Sequence, residues 1–242
     1  MSGPSSFCPS VGPLARTLDV MATDDEATGD EARPRPELAT ILATEHWSLL
    51  GTRSMTWSEV MSRISILLTV VSAFLVVLAL VAQGVGFDRS LLGIAIGFAL
   101  ASLVLGTLTA MRVAMASAED VQLVRAMNRL RAAYVELAPE IRPYLTASTH
   151  DDDAGLMATF AVGERRTLPA QVVGSTGFFV MVINTLVAGA LGGLLGAAAS
   201  LSGWWTAMCG VGAGVLWLLL QLVVVRRLYG GPLEDVRFPS PD

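Results

Sequence analysis

No charged residue occurs between Thr167 and Val225. A run of that length restricts a helical chain more than any other feature here. One helical crossing of a hydrocarbon core of about 30 Å takes about 20 predominantly apolar residues. The run is long enough for two crossings, and "SLSGWW" (Ser200–Trp205) divides it with a turn. Two further charge-free stretches, Ile64–Gln83 and Leu91–Met111, each suffice for one. Four spans are therefore expected, at 64–83, 91–111, 171–199 and 205–225. Composition agrees: the chain is 53% apolar and 15% charged, against about 25% charged in an average soluble domain.

Arginine sets the expected orientation. The sequence has no lysine, so all 16 basic residues are arginine. Arg53 and Arg63 precede the first span and Arg112 follows the second. Arg165 and Arg166 precede the third, and Arg226 and Arg227 follow the fourth. Only Arg89, beside Asp88, lies between the first two spans, and the turn between the last two has no charge. The positive-inside bias places both termini and residues 112–170 in the cytoplasm of a plasma-membrane protein.

Residues 1–35 read as a disordered acidic tail, because "DDEATGDE" and its Pro/Ser/Gly surroundings cannot bury enough apolar surface to order themselves. Residues 1–20 lack the basic start and apolar core of a signal peptide, and Met21 is a second candidate start. Cys8 and Cys209 sit in different environments and imply no disulfide framework.

Between tail and first span, Pro36 suits a first helical position and Gly51 a helix stop. Leu38, Ile41, Leu42, Glu45 and Leu49 share one face at helical spacing. This predicts an amphipathic helix over 36–51. Thr56 and Glu59 then form a capping box, which predicts a fresh helix from Trp57 into the first hairpin, 52–111. Trp57 falls where an interfacial aromatic belongs, and Arg53 and Arg63 where they can reach lipid phosphates.

After Arg112 no Gly or Pro occurs until Pro139, so the second span's helix should continue into the cytoplasm. Leu123, Met127, Leu130, Tyr134, Leu137 and Ile141 follow a heptad-like stripe. The like-charge pairs Arg125/Arg129 and Glu136/Glu140 favour packing against the 36–51 helix, with Glu37 and Glu45, over a parallel dimer seam. His46 reads as a packing residue. His150 with Asp151, Asp152 and Asp153 is the one cluster with metal-ligand chemistry. Adjacent side chains diverge, however, and an Asp at that place caps a short helix ending before Gly163. No catalytic, cofactor-binding or metal residue is assigned. Nothing supplies a Walker-type lysine, a Schiff base or a Ser–His–Asp arrangement, and "GVGAG" (Gly210–Gly214) lies inside a span.

The spans hold no charge, and Asn184 is their one strongly polar side chain far from an end. That weakens the case for an ion-coupled transporter. Gly93/Gly97, Gly189/Gly193, Gly192/Gly196 and Gly210/Gly214 recur at four-residue spacing, which permits close helix approach.

The segments "EHWSLLGTRSMTWSEVMSR" (Glu45–Arg63), "LALVAQ" (Leu78–Gln83) and "AMNRLRAAYVELAPE" (Ala126–Glu140) resemble a group of uncharacterised bacterial four-span integral membrane proteins, over roughly residues 40–230. That resemblance implies class and topology without an activity. The helix–span–span–helix order also distantly resembles the two-span SLATT effectors of bacterial conflict systems, which implies pore formation. The second hairpin is a departure from that pattern.

The expected fold is all-α: a four-helix transmembrane bundle of two hairpins with a small helical cytoplasmic layer. Its parts are 1–35, 36–51, 52–111, 112–170, 171–225 and a cytoplasmic tail, 226–242. The expected function is a non-enzymatic scaffold or interaction protein acting through its cytoplasmic helices, the rival being a pore or small transporter-like bundle. The expected partners are the lipid bilayer, a cytoplasmic protein and a second copy of the chain, with no nucleic acid and no cofactor.

Overall fold

A computed structural model of the chain describes residues 36–86, 88–161, 174–229 and 236–241. The acidic tail 1–35, Gly163, Arg165, Arg166 and the expected start of the third span at 171 lie outside them. Every regular element among the described residues is helical: α1 (Pro36–Val85), α2 (Arg89–Leu137), a 3-10 turn (Pro139–Tyr144), α3 (Asp153–Phe160), α4 (Thr176–Ala198) and α5 (Gly203–Tyr229). α1, α2, α4 and α5 are each long and apolar enough to cross a membrane.

The expected break at Gly51–Met55 is absent. α1 is one helix of 50 residues, about 75 Å long at 1.5 Å per residue. Gly51 does not take the left-handed conformation of a helix stop, and the capping box at Thr56 and Glu59 does not form. A glycine inside a helix costs only about 1 kcal/mol against alanine, and Thr52 returns its hydroxyl to the Ser48 carbonyl (3.0 Å). Packing supplies the rest. Leu42, His46, Leu49, Arg53, Trp57, Val60, Ile64 and Leu67 are the less exposed positions of α1, spaced three or four apart through the supposed joint. α2 meets them with Val113, Ala116, Asp120, Val124 and Met127, all buried.

The turn between α1 and α2 is short. Gly86 takes φ 77°, and Asp88 caps α2 by accepting from its own neighbour, Arg89 N–H (2.6 Å). Past Arg112 α2 continues, as expected, until Pro139. The parts of α1 and α2 beyond their apolar stretches thus form a two-helix stalk about 40 Å long at 1.5 Å per residue. Leu49, Val124, Met127 and Leu156 form its apolar core, and Tyr134 donates to the Leu42 carbonyl (3.0 Å). The stalk stripe therefore packs within the chain, as expected.

α4 begins later than the sequence predicts, at Thr176, with Ser175 as its cap accepting from Phe178 N–H (3.1 Å). Val180 packs with Val60, Ile64, Val113 and Ala116 where the apolar layer meets the stalk. The turn at Ser200 (φ 57°) leads into α5. Gly192 meets Ala213 and the Cys209 carbonyl, and Gly189 meets Gly210 and Gly214, so α4 and α5 pack backbone to backbone. A Cβ on Gly93, Gly97 or Gly193, by contrast, would point into open space, although the Gly193 backbone itself lies against Gly210.

Contacts run in the order α1–α2–α4–α5, with α2 also touching α5. Val180 of α4 also packs on Val60 and Ile64 of α1, so the two hairpins meet near the stalk. An open apolar cleft of about 550 Å³ lies between the α1–α2 hairpin and α4, bordered by Phe74, Phe98 and Leu194.

Candidate functional site

The polar chemistry of the chain gathers in the stalk, in three tiers. At its base, Arg53 grips Asp120 with Nε (2.6 Å) and Nη2 (3.1 Å), and Trp57 Nε1–H donates to the same carboxylate (3.0 Å). Asp120 is buried, and a buried charge is tolerated when it is paired and hydrogen-bonded. Arg53 also stands over the Phe160 ring, 5.9 Å from its centroid. Beside this pair, Glu59 receives Arg63 (2.9 Å) and Arg112 (2.9 Å), and Arg112 reaches on to Glu119 (3.2 Å). The Arg112 hydrogen bond, then that of Arg63, holds the Glu59 carboxyl below its ordinary value. Trp57, Arg53 and Arg63, expected to face lipid, are instead turned to protein partners. The reason is an acidic residue on the facing helix or one turn away.

Asn128 is the second tier. It is fully buried and donates through Nδ2 to the His150 carbonyl (2.7 Å). Its Oδ1 accepts from Arg131 (2.7 Å) and from the Thr159 hydroxyl (3.0 Å). One amide thus joins α2, the loop before α3, and α3 itself. Glycine is required at 155, because a Cβ there would collide with the His150 carbonyl. His46 stacks on Tyr134, 5.9 Å between ring centroids, which gives it the packing role expected. Burial, and then the Arg131 charge, lowers its pKa.

The third tier is the cluster after Thr149. Asp151 is completely buried. It accepts from Arg129 Nε (2.7 Å) and from the backbone N–H groups of Arg237 (3.0 Å) and Phe238 (2.7 Å). Its own N–H donates to the Phe238 carbonyl (3.1 Å). Asp152 caps α3 through Gly155 N–H (2.7 Å), as expected, and also accepts from Ser240 N–H (2.7 Å) and the Ser240 hydroxyl (2.9 Å). Burial pushes both carboxyls up. The hydrogen bonds from 236–241, Arg129 and Gly155 outweigh it and hold both below the usual carboxylate range. Residues 236–241 are therefore a strap clamped to the stalk. From sequence alone only a tail is expected there. The clamp also puts the far end of α5 on the same side of the apolar layer as the stalk.

The expected relief of Arg129 by Glu37 or Glu45 is not what forms; Asp151 meets Arg129. His150 contributes its main chain to this tier: its N–H donates to the Ser148 hydroxyl (3.0 Å). Asp151 and Asp152 are engaged by protein donors, and Asp153 is exposed in the first turn of α3. Within the apolar layer Asn184 is buried against Gly106 with neither amide atom hydrogen-bonded, and Gln221 reaches Thr185 at 3.4 Å.

Comparison with protein-family models, with curated proteins and with solved structures gives no match.

Proposed function

We propose that this chain is a multi-pass plasma-membrane protein with both termini in the cytoplasm, acting without catalysis as a scaffold whose stalk engages a cytoplasmic protein. Four apolar helices and the arginine asymmetry support the location and orientation. The observation that carries the role is the stalk. Asp120, Asn128, Asp151 and Asp152 are engaged in holding α1, α2, α3 and the strap together, while Tyr144 (83% exposed) and Met157 (50% exposed) face outward. A stalk that exposes large apolar side chains suits adhesion better than turnover.

A photo-crosslinking residue at Tyr144 or Met157, in native membranes, is expected to give one defined adduct with another protein. Purified protein in liposomes is expected to pass no ions. Ion flux without any adduct would move the assignment to the second reading, a pore or small transporter-like assembly. Asn184 favours that reading, since an amide without partners inside the apolar layer suits a water-lined path.

A further inference from the structure

Arg131 lacks the counter-charge that its neighbours in the stalk have. Arg53, Arg112 and Arg129 each meet a carboxylate. Arg131, half-buried on α2, meets none among the described residues. Its Nη1 donates to Asn128 Oδ1 (2.7 Å), which fixes the guanidinium and leaves Nε and Nη2 without an acceptor among the described residues. That edge is the one by which Arg53 grips Asp120. His46 approaches from α1, stacked on Tyr134, one turn along α2 from Arg131. The His46 Nδ1 is buried with no hydrogen-bond partner. A half-buried charge and a buried ring nitrogen both cost free energy until they are met. We infer that Arg131 and His46 form a site for an oxyanion, a carboxylate or phosphate group carried by a water-soluble molecule.

The chemistry selects the ligand. The open edge of a guanidinium matches two oxygens of a carboxylate or phosphate. A ring N–H of His46 adds a donor from the facing helix. Water can satisfy these donors but cannot neutralise the charge. Burial, and then the Arg53 charge, lowers the Arg131 pKa, which is the reverse of what an adjacent carboxylate does. Lipid headgroups do not reach the site. Arg131 lies roughly 20 residues past Met111, the end of the apolar stretch, or about 30 Å along the helix. Headgroups add only about 5–8 Å on each side of the hydrocarbon. The site stands whether or not the stalk also engages a protein at Tyr144 and Met157.

Nitrogen-15 spectra of the full chain in nanodiscs test it, with inorganic phosphate, acetate and chloride added in turn. The Arg131 side-chain and His46 ring signals are expected to shift saturably with phosphate or acetate. The affinity is expected to be roughly tenfold above that at Arg142, an exposed stalk arginine that reports ordinary ion pairing. Tighter phosphate assigns a phosphoryl ligand, and tighter acetate a carboxylate. Arg131→Lys keeps the charge but loses the fork, and should weaken binding about fivefold. His46→Ala should weaken it less. Protection of the Phe238 amide should stay at wild type in both variants, which separates lost binding from lost fold. Shifts that do not saturate, equal affinity at Arg142, the same shifts with chloride, or unaltered binding in Arg131→Lys would each overturn the proposal.

Discussion

Replacing Asp151 with alanine isolates what the strap depends on. The side chain is fully buried and accepts from Arg129, Arg237 N–H and Phe238 N–H. A hydrogen bond to a charged group contributes about 1.5–3 kcal/mol. The strap donors regain water when the strap leaves, so the three contributions do not add in full. A loss of about 2–4 kcal/mol in strap docking is expected, or roughly 30- to 1,000-fold at 1.4 kcal/mol per decade. Hydrogen exchange in nanodiscs reads it directly: the Phe238 amide should exchange faster by that factor, while α4 and α5 keep their wild-type protection. The pH dependence follows from the same carboxyl. Its folded pKa is lowered, so its stabilisation is complete above the unfolded value of about 3.9 and is lost as pH falls through the folded pKa. Protection of Phe238 should be flat from neutral pH down to about 5 and collapse only in stronger acid. Unchanged exchange in Asp151→Ala, or strap release near neutral pH, would refute the clamp.

Asp152→Asn should be milder than Asp151→Ala, because asparagine caps a helix about as well as aspartate; exchange of the Gly155 amide should rise little while that of Ser240 rises more. Gly192→Val should lower the melting temperature of the purified protein and separate α4 from α5, since its side chain enters the space of Ala213 and the Cys209 carbonyl, whereas Gly193→Ala, facing open space, should leave melting unchanged. Cysteines placed at Asp88 and Ser202 in a background without Cys8 and Cys209 should react with an impermeant thiol reagent in intact cells, and one at Thr149 should not; labelling at Thr149 would reverse the orientation.

Local sequence carries the spans well, because a charge cannot enter hydrocarbon cheaply and its absence is visible residue by residue. It also carries the stop at Pro139 and the cap at Asp152, which act through the backbone next to them. The break at Gly51 fails as an inference for a physical reason. A glycine and a capping box each contribute about 1 kcal/mol, less than the continuous packing of α1 on α2. That packing shows in sequence only when Leu42, His46, Leu49, Arg53 and Trp57 are counted together, charged and polar members included. Asp120 and Asp151 are less legible. Their partners stand 67 and 86 residues away, for Arg53 and Arg237 respectively. Nothing local distinguishes a buried, paired aspartate from a solvated one. Arg53 carries the same lesson in reverse, since its position beside a span suggests lipid while its actual partner is a carboxylate on the facing helix.

The stalk exists only if α1 runs unbroken from the apolar layer through Gly51–Met55. Spin labels at Ser48 and Ala73, both exposed, bracket the supposed joint at Gly51–Met55. The measurement is a pulsed dipolar distance in nanodiscs, with labelled chains diluted in unlabelled ones. A continuous helix predicts a narrow distribution centred about 38 Å, from 25 residues at 1.5 Å each. A broad distribution, or one centred well below about 30 Å, would mean that the helix breaks there, and the stalk as described would not exist.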